Sequence, residues 1–130
     1  MKKNMKSTAG QTDWHKLSLL VLGLLSAGLA QAQLAIQSIS AATQGGTEIV
    51  RIQASEPIKQ APTGFAIQSP ARIALDFAGA SNATGQKLFE LNQGNLRSAN
   101  VVQAGDRTRV VLNLNHTTGY QTKIEGNTLL

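Results

Sequence analysis

The chain has 130 residues and a formal net charge of +5 at pH 7, from 12 Lys and Arg against 7 Asp and Glu. This length allows one small domain with one modest core. The chain contains no cysteine, which excludes a disulfide framework and any metal site or nucleophile based on a thiolate.

The first 32 residues show the three parts of a cleavable export signal. Lysines precede an apolar stretch at residues 17–25 (LSLLVLGLL), and a small-residue triplet, AQA, follows at residues 30–32. The apolar stretch is shorter than the roughly 20 residues that a membrane-spanning helix needs. We therefore expect cleavage between Ala32 and Gln33, and work outside the bacterial cytoplasm for residues 33–130.

Removal of this signal changes the charge that matters for function. Residues 1–32 hold four of the twelve basic residues and one of the seven acidic ones, so residues 33–130 carry a net charge of +2. Nucleic-acid binding needs a basic patch on the folded domain itself. The sequence therefore predicts no nucleic acid among the partners.

Residues 33–130 are dominated by alternating apolar and polar side chains, the pattern of half-buried β-strands. The pattern predicts six or seven short strands. They lie at residues 34–40, 49–54, 72–77, 99–103, 109–114 and 120–125, and residues 87–91 fit either a strand or a single helical turn. The residues expected in the core are Ile73, Leu75, Val101, Val110, Leu112 and Leu114.

Four residue pairs that contain glycine predict the turns between these strands, because Gly and Asn tolerate the positive φ of tight hairpins. The pairs are Gly45-Gly46, Gly105-Asp106, Thr118-Gly119 and Gly126-Asn127. Residues 78–86 (AGASNATGQ) predict a polar loop, and the three prolines are expected between strands. The expected fold is all-β, a small two-sheet β-sandwich that buries one face of each strand.

Residues suited to catalysis are scarce after residue 32. His116 is the single histidine there, and no second histidine or carboxylate stands at ligand spacing from it. The carboxylates are scattered and form no acid–base pair. Phosphate-binding glycine loops and a nucleophile elbow around a serine are missing from the sequence. We expect no enzymatic activity, no metal and no cofactor.

Two segments carry a resemblance to a known family. Residues 94–114 (GNLRSANVVQAGDRTRVVLNL) combine a strand, a Gly-Asp turn followed by an arginine, and a second strand of the form R-V-V-L-x-L. Residues 72–77 (RIALDF) combine an arginine, apolar residues, an aspartate and a phenylalanine. Their order and spacing resemble the AMIN domain over about residues 34–130. With the export signal, the chain resembles the N-terminal part of a type IV pilus secretin subunit.

The end of the sequence adds to this expectation. Residues 127–130 (NTLL) begin a predicted strand after a turn and stop on two leucines. We therefore expect the chain to be the N-terminal piece of a longer protein.

The resemblance implies a periplasmic module that binds peptidoglycan and anchors an outer-membrane secretin to the cell wall. Arginine can hold a stem-peptide carboxylate bidentately, and Asp, Asn and Gln can bond hydroxyls and amides. The candidate binding residues on the matching motifs are Arg72, Asp76, Arg97, Gln103, Asp106, Arg107 and Arg109. The implied partners are peptidoglycan, other secretin subunits through regions beyond this chain, and inner-membrane proteins that align the pilus machine.

Two other functions stay open from the sequence. One is a protein-docking module that pairs through exposed strand edges. The other is the targeting domain of an N-acetylmuramoyl-L-alanine amidase whose zinc-bearing catalytic domain would follow residue 130.

The candidate residues also have purely structural explanations. Asp106 can cap its own turn, and Arg72 and Asp76 can pair across strands with Arg109 or Arg97. Sugar-binding sites commonly stack an aromatic ring on the sugar. Here the ring cannot be a tryptophan, because the single one, Trp14, lies in the predicted signal. Its candidates are Phe65, Phe77, Phe89 and Tyr120, of which Phe77 is expected in the core.

Overall fold

Ten β-strands form the described part of the chain, residues 33–130 of a computed structural model. The strands are β1 (Leu34–Gln44), β2 (Thr47–Ala54), β3 (Thr63–Gln68), β4 (Ala71–Ala78), β5 (Ala80–Asn82), β6 (Leu88–Gln93), β7 (Leu96–Ala104), β8 (Arg107–Leu114), β9 (Ile124–Glu125) and β10 (Thr128–Leu129). No helix in this part of the chain is long and apolar enough to cross a membrane. The predicted export signal and its cleavage after Ala32 concern residues 1–32, outside the described residues, and stay a prediction.

The first sheet has the strand order β5-β1-β2-β10-β9. β1 and β2 form the predicted hairpin through Gly45-Gly46, and both glycines have positive φ, 56° and 80°. β5 lies within the segment predicted as a polar loop. It pairs parallel with the start of β1, with Ala80 opposite Leu34.

The second sheet has the strand order β3-β4-β8-β7-β6, and all its described pairings are antiparallel. β7 and β8 are joined by the predicted Gly105-Asp106 turn. The segment at residues 87–91 is strand, not a helical turn, because β6 pairs with β7. β3 was not predicted, since it is an edge strand that is exposed along most of its length and shows little alternation.

The prediction of a continuous strand at residues 120–125 is wrong. Only Ile124 and Glu125 form a strand, and the Thr118-Gly119 pair makes no hairpin between two strands. The reason is that β8 belongs to the second sheet and β9 to the first, so residues 115–123 connect the sheets. The Gly126-Asn127 turn between β9 and β10 is present as predicted.

The core lies between the two sheets, and the all-β sandwich prediction is confirmed. All six residues expected in the core are at most 6% exposed, and Phe77 is 3% exposed. Val110 is 0% exposed on β8, and Ile36 is 0% exposed on β1 of the other sheet. The inward positions of the strands are therefore used for packing, and the outward positions remain for other chemistry.

Ile36→Ala is expected to lower the free energy of unfolding by about 2–5 kcal/mol, because it leaves a cavity at a fully buried position. Leu88→Ala is the matched control. Leu88 is 50% exposed, so its truncation is expected to change stability by at most about 0.5 kcal/mol. Urea denaturation followed by circular dichroism measures both. Equal losses in the two variants would contradict the assignment of the core.

Candidate functional site

Four of the seven candidate residues, Arg72, Asp76, Arg107 and Arg109, share the surface of the second sheet that points away from the core. We call this surface the outer face. Because side chains alternate along a strand, the inward positions of β4 at Ile73, Leu75 and Phe77 place its intervening residues on the outer face. On β4 and β8, Asp76 stands opposite Arg109 there, and Arg72 stands opposite Asn113.

Asp76 and Arg109 form a bidentate ion pair across β4 and β8. Arg109 Nε donates to Asp76 Oδ1 at 2.6 Å, and Arg109 Nη2 donates to Oδ2 at 2.8 Å. The side chains are 13% exposed for Asp76 and 42% exposed for Arg109. The hydrogen bonds from Arg109 are the main cause that lowers the pKa of Asp76; partial burial opposes them, and the charges of Arg109 and Arg107 add to the lowering.

This ion pair also places a cation over an aromatic ring. Arg109 Cζ lies 5.3 Å from the centroid of the Phe65 ring. Phe65 stands on β3 opposite Ala74 of β4 and is 40% exposed. Of the four aromatic candidates, Phe77 is in the core as expected, Phe89 packs against the core, and Tyr120 lies in the connection between the sheets. Phe65 is the one on the outer face.

Arg72 differs from Arg109 in having no acidic partner. It makes no ion pair within residues 33–130. Its Nε atom is buried and lacks a hydrogen-bond acceptor. The opposite residue, Asn113, donates from Nδ2 to Ser98 Oγ at 3.0 Å and to Asn100 Oδ1 at 2.7 Å. The outer face therefore combines an unpaired guanidinium with a row of small polar side chains.

Gln103 has a structural position at the edge of the sandwich, although it is exposed. Its Nε2 atom donates to the carbonyl oxygens of Ala80, Gly105 and Arg107 at 3.0–3.1 Å. Its Oε1 atom accepts from the Asn82 N–H and the Thr108 hydroxyl, both at 3.0 Å. Two of these five bonds, to Ala80 and Asn82, join β5 of the first sheet to the β7–β8 hairpin of the second, and the other three lie within the hairpin.

Three of the candidates, including Arg107, lie at the two ends of the β7–β8 hairpin. Arg97 lies at one end, where the register shifts between Leu96 and Ser98. Asp106 and Arg107 are exposed at the turn at the other end. The Asp106 side chain makes no hydrogen bond within residues 33–130, and Gln103 bonds the turn carbonyls in its place. The structure thus brings Arg72, Asp76, Arg107 and Arg109 to one face of the second sheet, with Arg107 at its turn end, and separates Arg97 from the turn residues.

Sequence reasoning missed the polar residues beside Arg72. Ser98, Asn100 and Asn113 occupy outward positions of β7 and β8, and the signal for them was available in the alternation with buried Ala99, Val101 and Leu112.

The backbone of His116, in the segment after β8, is held by the side chain of Asn95. Its N–H donates to Asn95 Oδ1 at 2.9 Å, and its carbonyl accepts from Asn95 Nδ2 at 2.8 Å. Residues 33–130 contain no group of three or more potential metal ligands.

A family model supports the resemblance that the motifs suggested. The model described as AMIN domain matches residues 38–130, which include every strand from β2 to β10 and most of β1. The chain therefore belongs to the AMIN domain family.

The similar curated proteins have names from the type IV pilus. The chain is 44% identical over 116 residues to the fimbrial assembly protein PilQ of Pseudomonas aeruginosa. This match covers 87% of this chain and 16% of that protein. It is 39% identical over 80 residues to the type IV pilus biogenesis and competence protein PilQ of Neisseria gonorrhoeae. This second match covers 62% of this chain and 11% of that protein. The chain therefore spans only a small part of the length of these relatives. No solved structure matches.

Asp76→Asn is expected to lower stability at neutral pH and to remove part of the loss of stability in acid. Because the folded state lowers the pKa of Asp76, the carboxylate stabilises the fold above its unfolded pKa of about 3.9 and loses this effect as the pH falls through the lower folded value. The stabilities of the variant and the unsubstituted chain should therefore begin to converge as the pH falls below about 4 and should converge fully below the folded pKa. Urea denaturation at pH 7, 5 and 3 tests this. Parallel pH profiles would contradict it, and Asp106→Asn, at an exposed turn, is the control.

Gln103→Ala is expected to destabilise the fold by about 1–2 kcal/mol, because five hydrogen bonds are lost, two of them between the sheets and three within the β7–β8 hairpin. Each bond is worth about 0.5–1.5 kcal/mol before exposure to water is taken into account. The neighbouring control Arg107→Ala should stay within about 0.5 kcal/mol. Chemical denaturation of both variants provides the comparison. An unchanged midpoint for Gln103→Ala would show that the amide does not link the sheets in solution.

Proposed function

We propose that this AMIN domain is a non-catalytic, periplasmic peptidoglycan-binding module that anchors an outer-membrane type IV pilus secretin to the cell wall. Membership of the AMIN family and the pilus names of its relatives support this proposal. The observation that carries the site is Arg72, a guanidinium with no acidic partner within residues 33–130 on an otherwise polar face.

A stem-peptide carboxylate supplies the acceptor that Arg72 lacks. A buried donor without an acceptor costs about 1–3 kcal/mol, so Arg72 gains from any rearrangement that brings Nε to an anion. No intramolecular ion pair has to break for this to happen. Arg109, by contrast, is already held by Asp76 in two hydrogen bonds. We therefore assign anion binding to Arg72 and a positioning role to the Asp76–Arg109 pair.

The rest of the outer face suits the neutral parts of peptidoglycan. Ser98, Asn100 and Asn113 offer hydroxyl and amide groups to glycan hydroxyls and acetamido groups. The half-exposed Phe65 ring offers an apolar surface, and Arg109 restricts its orientation from one side. One face thus presents a carboxylate site, polar groups and an aromatic ring on adjacent strands.

The relatives support a secretin more than an amidase. Their names describe pilus assembly and competence, not a hydrolytic reaction. Attachment to the outer membrane, assembly with other secretin subunits and contact with inner-membrane alignment proteins are part of the same proposal. These would involve regions of the relatives that this chain does not span.

Arg72→Ala is expected to weaken binding to isolated peptidoglycan sacculi by about tenfold or more, because a charge-assisted hydrogen bond contributes about 1.5–3 kcal/mol and 1.4 kcal/mol is a factor of ten. Co-sedimentation with sacculi over a salt series measures this, with the protein recovered from the periplasm of an expression host. Added salt should weaken binding of the unsubstituted chain.

Arg51→Ala is the matched control. Arg51 is exposed on β2 of the other sheet, so the variant loses the same charge elsewhere and should bind within about twofold of the unsubstituted chain. Equal losses of binding in the two variants would show that Arg72→Ala acts only through net charge, and would contradict the outer-face site. Failure of the folded, unsubstituted chain to sediment with sacculi would overturn the wall-binding proposal itself.

A further inference from the structure

The side chains of the outer face form rows across the strands, because the register of the sheet places them directly opposite one another. One of these rows, which we call the polar row, crosses four strands. It contains Arg72 of β4, Asn113 of β8, Ser98 of β7 and Glu90 of β6. Phe89 stands opposite the buried Ala99, so its neighbour Glu90 points outward. The polar row therefore begins at a guanidinium and ends at a carboxylate.

Neither charged end of the polar row has a counter-ion within the part of the chain that the structure describes. Arg72 and Glu90 make no ion pair within residues 33–130. Three strand spacings, about 14 Å, separate their backbones. Arg97 precedes Ser98 at the register shift of β7, and it makes no ion pair with Glu90. Both ends are therefore available to opposite charges on one extended ligand.

The two middle residues of the polar row offer one acceptor and one donor. Asn113 uses its Nδ2 group in hydrogen bonds to Ser98 and Asn100. Its Oδ1 atom makes no hydrogen bond within residues 33–130 and remains an acceptor. The Ser98 oxygen accepts from Asn113, so the hydroxyl hydrogen remains to be donated. A peptide group is complementary to this arrangement, since its N–H donates and its C=O accepts.

The neighbouring row of the outer face is mostly apolar. In order from β3 to β6 it contains Phe65, Ala74, Val111, Asn100 and Leu88. Phe65 and Leu88, at its two ends, are 40% and 50% exposed. A polar and an apolar row thus run side by side across the sheet, and a ligand that crosses the strands contacts both.

The stem peptide is the part of peptidoglycan that carries both of the charges that the polar row can bind. The acetylated glycan strands offer neutral hydroxyl and acetamido groups. The stem peptide has carboxylates, and its diamino acid keeps a protonated amino group until that group is used in a cross-link. An extended chain rises about 3.3 Å per residue, so a short stem peptide can span ends that lie about 14 Å apart.

We infer that the outer face binds the stem peptide across the strands, with a carboxylate on Arg72 and the free amino group of the diamino acid on Glu90. This inference rests on the proposed function and adds which part of peptidoglycan is recognised. Asn113 and Ser98 bond one peptide group between the two ends, and apolar groups of the stem lie over the neighbouring row. Because a cross-link converts the amino group into a neutral amide, the site selects stems whose amino group is not cross-linked.

Chemical modification of the sacculi tests the amino group. Acetylation of free amines removes their positive charge, whereas reductive methylation keeps it. The unsubstituted chain is expected to bind acetylated sacculi about three- to tenfold more weakly than untreated sacculi, the effect of one exposed charge-assisted hydrogen bond. Binding to methylated sacculi should stay within about twofold of the untreated value. Co-sedimentation over a range of protein concentrations measures all three.

The direction of the acetylation effect separates this recognition from attraction by net charge. Acetylation makes the sacculi more negative, and residues 33–130 carry a net charge of +2. If net charge alone decided binding, acetylated sacculi would therefore bind the chain more tightly. The inference predicts weaker binding instead.

Glu90→Gln assigns the effect to one residue. This variant is expected to bind untreated sacculi about three- to tenfold more weakly, and to bind untreated and acetylated sacculi within about twofold of each other. Glu125→Gln is the matched control, because Glu125 is exposed on β9 of the first sheet and loses the same charge there. It should keep the preference for untreated sacculi. Circular dichroism checks that both variants are folded.

Three outcomes would overturn the inference and leave wall binding intact. The first is equal binding of untreated and acetylated sacculi by the unsubstituted chain. The second is an equal loss on methylation and acetylation, which would show that the charge of the amine is not recognised. The third is a preference for untreated sacculi that persists in Glu90→Gln. Failure of the folded, unsubstituted chain to sediment with untreated sacculi would instead overturn the proposed function itself.

Discussion

Burial of the inward side chains between the two sheets is the constraint on which the rest of this molecule depends. The chain has no cysteine, so packing has to hold the sandwich together without disulfides. Every second position on the central strands is therefore apolar, as in the fully buried Ile36 and Val110. This leaves the outward positions for the recognition that we propose. Arg72, Asp76 and Arg109 lie together on the outer face because all three occupy the outward positions of paired strands.

Arg72 and Arg109 lie on the same face and are the same residue type, but only Arg109 has an acidic partner, because their neighbours differ. Arg109 faces Asp76 across the strand pair, and this carboxylate fixes the guanidinium in two hydrogen bonds above Phe65. Arg72 faces the amide of Asn113, which cannot neutralise it. The Asp76–Arg109 pair adds to stability and also positions the Arg109 guanidinium. Arg72 makes no ion pair within residues 33–130, which is why we assign the carboxylate of the proposed ligand to it.

Local patterns predicted the parts of this structure that depend on neighbouring residues in the chain. The alternation in residues 72–77 and 109–114 gave the inward faces correctly, because a period of two is a local property of a strand. The features that escaped prediction depend on distant partners. β5 is a strand only because its three residues lie beside β1, and the hydrogen bonds of Gln103 reach the carbonyl of Ala80, which is remote in sequence. The Asp76–Arg109 pairing was one of several that the sequence left open.

The proposed binding surface on the second sheet is suited to polar and charged ligands. The outer face offers charge, amides and one aromatic ring, so salt should weaken its interactions. Because the inward faces keep the sheets together, the packing of the core does not depend on the outward side chains, and these can serve the contacts with peptidoglycan that we propose.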